Sequence, residues 1–112
     1  MAIYLANGFS LNMLDIKDGE EVNVNVSIHS VSKERVRTAV LDGAVSVIGH
    51  RDTAKIVEND LEVGVDLYNR STIKLVKGDI VYIAQYIGPR LEEGVTTLPE
   101  NARIEYFRVV IS

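Results

Sequence analysis

A histidine marks the most informative junction in this sequence. His50 follows the apolar run Ala44–Ile48 and precedes residues that predict a helix. The first turn of a helix carries unpaired N–H groups and a partial positive charge, so it suits a phosphate group. A histidine there could donate a proton, because an unperturbed imidazole titrates near neutral pH. The alternative is a histidine that only caps or packs at the turn, and a lone histidine by itself favours that alternative.

Two charged residues lie in a loop bounded by glycines, Gly88–Gly94. Arg90 could hold a phosphate through forked hydrogen bonds, and Glu93 could orient a hydroxyl group or the histidine. The alternative, which spacing alone favours, is an exposed ion pair of little energetic consequence. Arg70 follows Asn69 at the start of a predicted strand, and by itself this position indicates a surface residue.

The turn from Asn7 through Gly8 to Ser10 could offer amide and hydroxyl donors to a ligand, although a plain strand-to-helix connection would have the same composition. His29 ends an alternating strand on its polar face, and we expect it to be solvated. The sequence has no Walker loop, dinucleotide glycine fingerprint, GxSxG or HExxH motif. The residue pattern alone therefore indicates a globular domain with a candidate anion pocket.

The composition limits the classes of protein that fit. The chain of 112 residues suits one domain, 1–112, and its net charge of −4 argues against sequence-blind binding to duplex DNA. Without cysteine and with two histidines, a disulfide framework or a histidine-rich metal site is not expected. No segment approaches the roughly 18 apolar residues of a membrane span. The start of the chain lacks the basic region of a signal peptide, so we expect a cytoplasmic protein. We also expect no metal or cofactor.

Hydrophobic periodicity predicts the elements that must position these residues. The order predicts an α/β or α+β fold, with a mixed sheet of about five strands and about three short helices. The predicted strand segments are Ile3–Leu5, Val22–His29, Asn69–Val76, Ile80–Ile87 and Ile104–Ile111. Ala44–Ile48 is predicted as a further short strand, with a helix as the alternative. The predicted helices are a short one from a Ser10 cap through Leu14, one beginning at Ser32 and ending at Asp42–Gly43, and one capped by Asp52 or Thr53 and ending near Gly64. Lys77–Asp79 is predicted to form a hairpin turn, and Ile80–Ile87 a central strand covered on both faces.

Four segments together resemble one family, in the same order and at similar spacing. They are Leu5–Leu14, Ile48-Gly49-His50 with Thr53, Asn69-Arg70, and Arg90–Gly94. The family is the viral ring nucleases, type III anti-CRISPR proteins, and the resemblance covers most of the chain. It implies a homodimer that binds cyclic tetra-adenylate, the second messenger of type III CRISPR systems, and cleaves it without a metal.

The resemblance also implies roles for individual residues. His50, Arg90 and Glu93 match catalytic positions, and the positions implied to contact the ligand are Asn7, Gly8, Ser10, Gly49, Arg70 and Arg90. The implied reaction is attack of a ribose 2′-hydroxyl on the adjacent phosphorus, giving linear di-adenylate with a 2′,3′-cyclic phosphate. This chain departs from the family where Gly88-Pro89 replaces a polar pair, and where 98–103 is too short for the helix that precedes the last strand in archaeal-virus relatives.

Two other classes of function remain open. A binding protein could sequester or sense the cyclic nucleotide with His50 as a hydrogen-bond donor only. A small viral or mobile-element protein could instead use its sheet to bind DNA or another protein, although the acidic balance and the lack of a basic helix count against DNA.

Overall fold

The computed structural model describes residues 1–112, and two α-helices and five strands make up its regular structure. One turn of 3-10 helix, Leu11–Met13, follows the first strand. The other elements, in chain order, are β1 (Ile3–Ala6), β2 (Val26–Ser30), α1 (Lys33–Leu41), β3 (Val45–Ser46), α2 (Arg51–Leu61), β4 (Ile80–Ile87) and β5 (Arg103–Ile111). Neither α-helix has the length and apolar content needed to cross a membrane.

The five strands form one mixed sheet in the order β2-β5-β4-β1-β3. β1 pairs in parallel with β3 and with β4, whereas β5 runs antiparallel to both β4 and β2. The predicted α+β class and the mixed five-stranded sheet are therefore confirmed. The helix count is lower than predicted, because the segment after Ser10 makes only a single 3-10 turn and the Ser10 hydroxyl donates to the Asn12 side chain instead of capping it.

Each face of the sheet carries its own apolar cluster. Leu5 belongs to the cluster that α1 and α2 cover, while its neighbour Ala6 belongs to the cluster on the opposite face, as the strand period of two requires. The opposite face is covered by irregular chain that contributes Leu14 and Leu75. β4 contributes residues to both clusters, which confirms the prediction that this apolar run is a central strand.

Three strand predictions and one turn prediction need correction. Asn69–Val76 forms no strand: Leu75 makes one isolated bridge to Leu14, and the segment serves to cover the second cluster. Lys77–Asp79 is a turn, but it leads from this irregular segment into β4 and closes no hairpin. The alternating run Val22–His29 is a strand only from Val26 onward. Asn25 still exchanges backbone hydrogen bonds of 2.9 and 2.8 Å with Ser112, but 22–24 forms no regular structure. The run Ala44–Ile48 pairs as a strand only at Val45–Ser46.

The helix ends were partly predictable. Ser32 caps α1 by accepting the Arg35 N–H at 3.1 Å, as predicted. The prediction of Asp52 or Thr53 as the cap of α2 is wrong, since His50 occupies that position, as the alternative of a capping histidine had it. α2 ends at Leu61, before the predicted stop at Gly64, because Glu62 takes a left-handed conformation with φ of 55°.

A buried tyrosine fixes α2 to the sheet. The Tyr106 hydroxyl on β5 donates to the Asp60 carboxylate at 2.5 Å, and Lys33 Nζ lies 3.4 Å from the other oxygen of Asp60. Burial raises the pKa of the Tyr106 phenol above its usual range, and the hydrogen bond to Asp60 and the charge of that carboxylate raise it further. The phenol therefore keeps its proton and its bond to α2 at any pH near neutrality.

Removing this hydroxyl should change both stability and its dependence on pH. Tyr106→Phe should lower the free energy of unfolding near pH 7 by about 1.5–3 kcal/mol, as for a hydrogen bond to a charged group. The raised pKa means that the stabilisation is complete below the ordinary tyrosine pKa of 10 and declines as pH rises above it. Urea unfolding from pH 7 to 11 should therefore show the two proteins converging above about pH 10.

Tyr4→Phe is the matched control, since the Tyr4 hydroxyl makes no hydrogen bond within the protein and its loss should leave stability nearly unchanged. A stability difference between wild type and Tyr106→Phe that stays constant up to pH 11 would contradict this account.

Candidate functional site

Three parallel strands deliver their carboxyl ends to one edge of the sheet. β1 is flanked by β3 and β4, and all three run in the same direction. The chain that leaves β3 reaches Gly49 and His50, and the chain that leaves β4 forms the loop Gly88–Gly94. Loops at the carboxyl ends of parallel strands are a common location for ligands in sheets of this kind.

His50, Arg90 and Glu93 line one hollow of about 220 Å³ at this edge, which we call the His50 hollow. The histidine comes from the start of α2, and the other two residues come from the loop after β4. All three residues are exposed to solvent. The rest of the lining consists of Asp52, Thr53, Leu91, Glu92 and Val95.

The orientation of His50 follows from its place at the start of α2. Its backbone is extended (φ −116°, ψ 124°), and its Nδ1 accepts the Thr53 N–H at 3.4 Å. A neutral imidazole that accepts at Nδ1 carries its proton on Nε2. The Thr53 hydroxyl lies equally 3.4 Å from Nδ1, and a hydroxyl can also accept a hydrogen bond. Thr53 therefore offers Nδ1 a partner whether or not that nitrogen carries a proton.

The loop that carries Arg90 and Glu93 is held closely where it leaves the sheet. The Tyr86 hydroxyl donates to the Pro89 carbonyl at 2.6 Å. Gly88 packs so tightly that a Cβ there would lie 2.6 Å from the Ala102 Cβ and 3.0 Å from the Ala102 Cα. Gly88 thus has a steric role, and Pro89 contributes a carbonyl acceptor. The chain at 98–102 forms no helix, as its length predicts.

Arg70 lies beside the glycine that precedes His50. The Asn69 side-chain amide donates to the Ser46 carbonyl at 2.7 Å, and the Asn69 N–H donates to the Ile48 carbonyl at 2.9 Å. These bonds hold Arg70 next to Gly49, where a Cβ would meet the Arg70 Cγ at 3.7 Å. An arginine that spacing alone indicated as a plain surface residue therefore flanks the chain that leads into His50.

The turn after β1 lies outside the His50 hollow. Ser10 lines a separate hollow of about 220 Å³ that Val47 and Ser71 also border. Asn7 is exposed directly after β1, and Gly8 is partly buried with open space where a Cβ would stand. The predicted site residues therefore form one convergent set around His50 and a second set that shares only the same edge of the sheet.

Charge at the His50 hollow is mixed. Its lining holds three carboxylates, those of Asp52, Glu92 and Glu93, against the single guanidinium of Arg90. Arg51 lies just beyond the lining, with its guanidinium 4.1 Å from the centre of the Tyr68 ring. No group of three histidine, aspartate or glutamate side chains is arranged to hold a metal ion.

Some features of this edge were not apparent from the sequence. Asp52 was expected only as a helix cap, and Glu92 was not singled out, yet both line the His50 hollow. Short-range signals could not identify them, because the hollow joins segments that are 40 residues apart. The largest hollow in the protein, about 820 Å³, lies between α1 and the β1–β3 side of the sheet and contains none of the predicted site residues.

Comparison with known proteins places the chain in a family. A family model described as STIV B116-like matches residues 3–108. The chain belongs to the STIV B116-like family. Within solved structures it is similar to B116 of Sulfolobus turreted icosahedral virus, with 25% identity and a TM-score of 0.73 over 98% of this chain and 99% of the viral one. No curated protein sequence matches the chain.

The close packing of Gly88 against Ala102 in this member of the B116-like family can be tested by substitution. Gly88→Ala should lower the free energy of unfolding by about 1–3 kcal/mol, because the added methyl overlaps Ala102 and the loop must shift. Ala102→Gly in the same chain should recover part of the loss, since it removes the nearest atom. Urea unfolding of both single variants and the double variant measures this coupling.

Gly64→Ala is the matched control, since nothing lies within 4 Å of a Cβ at that position. Equal stability of the Gly88 and Gly64 variants would show that the loop does not depend on this close approach.

Proposed function

We propose that this protein binds cyclic tetra-adenylate as a homodimer and cleaves it, which would remove the signal that activates type III CRISPR effectors. The observation that carries the proposal is the convergence of His50, Arg90 and Glu93 around one hollow. Transesterification of an RNA phosphodiester is assisted by a proton donor, a proton acceptor and a cation that offsets charge on the phosphate, and these three side chains can supply those roles.

The proposed step needs only groups that the ligand and this chain supply. A ribose 2′-oxygen attacks the adjacent phosphorus and loses its proton to Glu93, while the bond from phosphorus to the 5′-oxygen breaks. His50 gives a proton to that leaving oxygen, and Arg90 offsets charge on the non-bridging oxygens. The products are a 2′,3′-cyclic phosphate and a free 5′-hydroxyl. Two such cuts at opposite phosphodiesters convert the ring into two linear di-adenylates.

The position of His50 suits a proton donor. Nε2 is the nitrogen left free when Nδ1 bonds to Thr53, so Nε2 is the proposed donor to the leaving oxygen. When the imidazole is charged, Nδ1–H can donate to the Thr53 hydroxyl at the same 3.4 Å. After transfer, the neutral ring keeps this Nδ1–H bond. Thr53 thus supports the imidazole throughout the proposed step.

The exposure of the His50 hollow favours a dimer in which a second copy of the chain covers the bound ligand. In one copy the polar groups of the His50 hollow face water, where their attraction for a phosphate is weak. The three carboxylates of the lining oppose a ligand that carries four phosphates. Arg51 and Arg70 flank the hollow and, with Arg90, equal the three carboxylates in number. A two-fold dimer would place one such set on each side of a ring that itself has two-fold symmetry.

The family supports a viral context for the proposal. A 25% identical viral protein shares the fold over nearly the whole chain. A protein made during infection that destroys a host second messenger would act in the host cytoplasm as an anti-CRISPR protein.

Cleavage is tested with purified protein and cyclic tetra-adenylate in excess EDTA. Chromatography should reveal linear di-adenylate with 2′,3′-cyclic phosphate ends. His50→Ala should slow the reaction by about 10²–10⁴-fold, the usual contribution of a general acid. Arg90→Ala should also slow it, because charge on the phosphate is no longer offset.

The controls for these variants are His29→Ala on β2 and Arg37→Ala on α1, both exposed and outside the hollow. Full activity of His50→Ala would remove this residue from the mechanism. Slow release of intact ligand by the wild type would instead identify a protein that sequesters the messenger.

The dimer should contain two complete and independent sites. Light scattering should give twice the chain mass of 12.4 kDa. His50 and Arg90 line the hollow within one chain, so mixing the His50→Ala and Arg90→Ala proteins should restore no cleavage. Recovery of up to about a quarter of wild-type activity would mean that each site takes residues from both chains. A strictly monomeric protein would contradict the proposed mode of binding.

A further inference from the structure

One carboxylate joins the two segments that form the His50 hollow. Asp52 lies in the first turn of α2, two residues after His50, and its Oδ2 accepts the Gly94 N–H at 2.7 Å. The two partners are 42 residues apart in the sequence. A short hydrogen bond to an ionised acceptor is stronger than one between neutral groups. This contact therefore sets how the loop after β4 meets the start of α2.

A second contact continues along the same helix. The Asn59 side-chain amide donates to the Thr96 carbonyl at 3.1 Å. Asn59 follows Asp52 by seven residues, which is close to two helical turns, so both side chains project from one side of α2. The chain from Gly94 to Thr96 consequently runs along α2 and is held at both ends of this short span.

The charged residues of the loop have no such restraint. The side chains of Arg90, Glu92 and Glu93 make no hydrogen bond or ion pair within the protein. Their positions depend on three backbone contacts: the Pro89 carbonyl with the Tyr86 hydroxyl before them, the Glu92 carbonyl with the Val95 N–H at 3.3 Å, and the Gly94 N–H with Asp52 after them. Loss of the contact between Gly94 and Asp52 would free the end of the loop nearest Glu93.

We propose that Asp52 is a positioning residue that fixes the Arg90–Glu93 segment against the first turn of α2, and so against His50. Its role in catalysis rests on the proposed function, whereas its hold on the loop does not. Asp52 acts through Gly94 and needs no contact with the ligand. Small displacements of aligned groups can cost large factors in rate, so the effect of losing Asp52 should appear in kcat.

A simpler role for Asp52 is a favourable charge at the start of a helix, and the test must separate the two. Glu34 provides the matched control, because it is the acidic residue in the first turn of α1. Asp52→Asn removes the charge but keeps an oxygen that can accept the Gly94 N–H. A positioning role predicts that Asp52→Asn keeps nearly the wild-type Gly94 exchange and kcat, with a lower KM because one carboxylate that opposes the ligand is gone. A pure charge effect predicts that Asp52→Asn behaves as Asp52→Ala in exchange and kcat.

The experiment compares the wild type with Asp52→Ala, Asp52→Asn and Glu34→Ala. Nuclear magnetic resonance measures amide exchange at Gly94 and backbone order at 90–93, and steady-state assays measure cleavage of cyclic tetra-adenylate. Asp52→Ala should exchange the Gly94 amide at least tenfold faster, disorder 90–93 and lower kcat at least tenfold. Asp52→Asn should recover most of each property, and Glu34→Ala should change none.

Unchanged Gly94 exchange in Asp52→Ala would overturn the proposal, and so would faster exchange with a wild-type kcat. If the wild type cleaves no cyclic tetra-adenylate, the proposed function fails. The loop measurements then decide by themselves whether Asp52 holds the segment.

Discussion

Parallel pairing on both sides of β1 is the constraint on which the candidate site depends. β1 has four residues, and Leu5 and Ala6 within it are almost fully buried. The Leu5 carbonyl accepts the Val47 N–H at 2.8 Å, so the pairing with β3 extends toward His50. Because β3 and β4 both run parallel to β1, the chains that leave them emerge at one edge. An antiparallel partner on either side would carry one of these chains to the far edge of the sheet.

The site combines a rigid frame with exposed chemical groups. The frame is built from bonds between backbone and side chains: the Thr53 N–H donates to the imidazole, the Tyr86 hydroxyl donates to the Pro89 carbonyl, and the Gly94 N–H donates to the Asp52 carboxylate. The side chains that could act on a phosphate remain free in solvent. Such an arrangement leaves cations and a proton donor available to a ligand, and it leaves the exclusion of water to the ligand or to a second copy of the chain.

Local signals predicted the elements that carry a continuous apolar run or a residue typical of a helix start. The apolar run of β4 indicated a strand covered on both faces, and Ser32 indicated the start of α1. The same signals failed for Asn69–Val76, which has strand-like residues but covers an apolar cluster as irregular chain. They also failed at the cap of α2, because a histidine took a role that aspartate and threonine fill more often.

The sequence by itself determined the mixed sheet, the two helices and the residue types capable of acid–base chemistry and phosphate binding. It also marked His50 as lying at the junction of an apolar segment and a helix. Only the tertiary structure decided that Arg90 and Glu93 line the same hollow as His50, and that Ser10 borders another. The physical reason is that periodicity reports which face of an element is buried, whereas convergence depends on strand order and direction. Those are fixed by pairing between residues far apart in the chain, such as the parallel pairing of Leu5 with Ser46 on one side and with Tyr82 on the other.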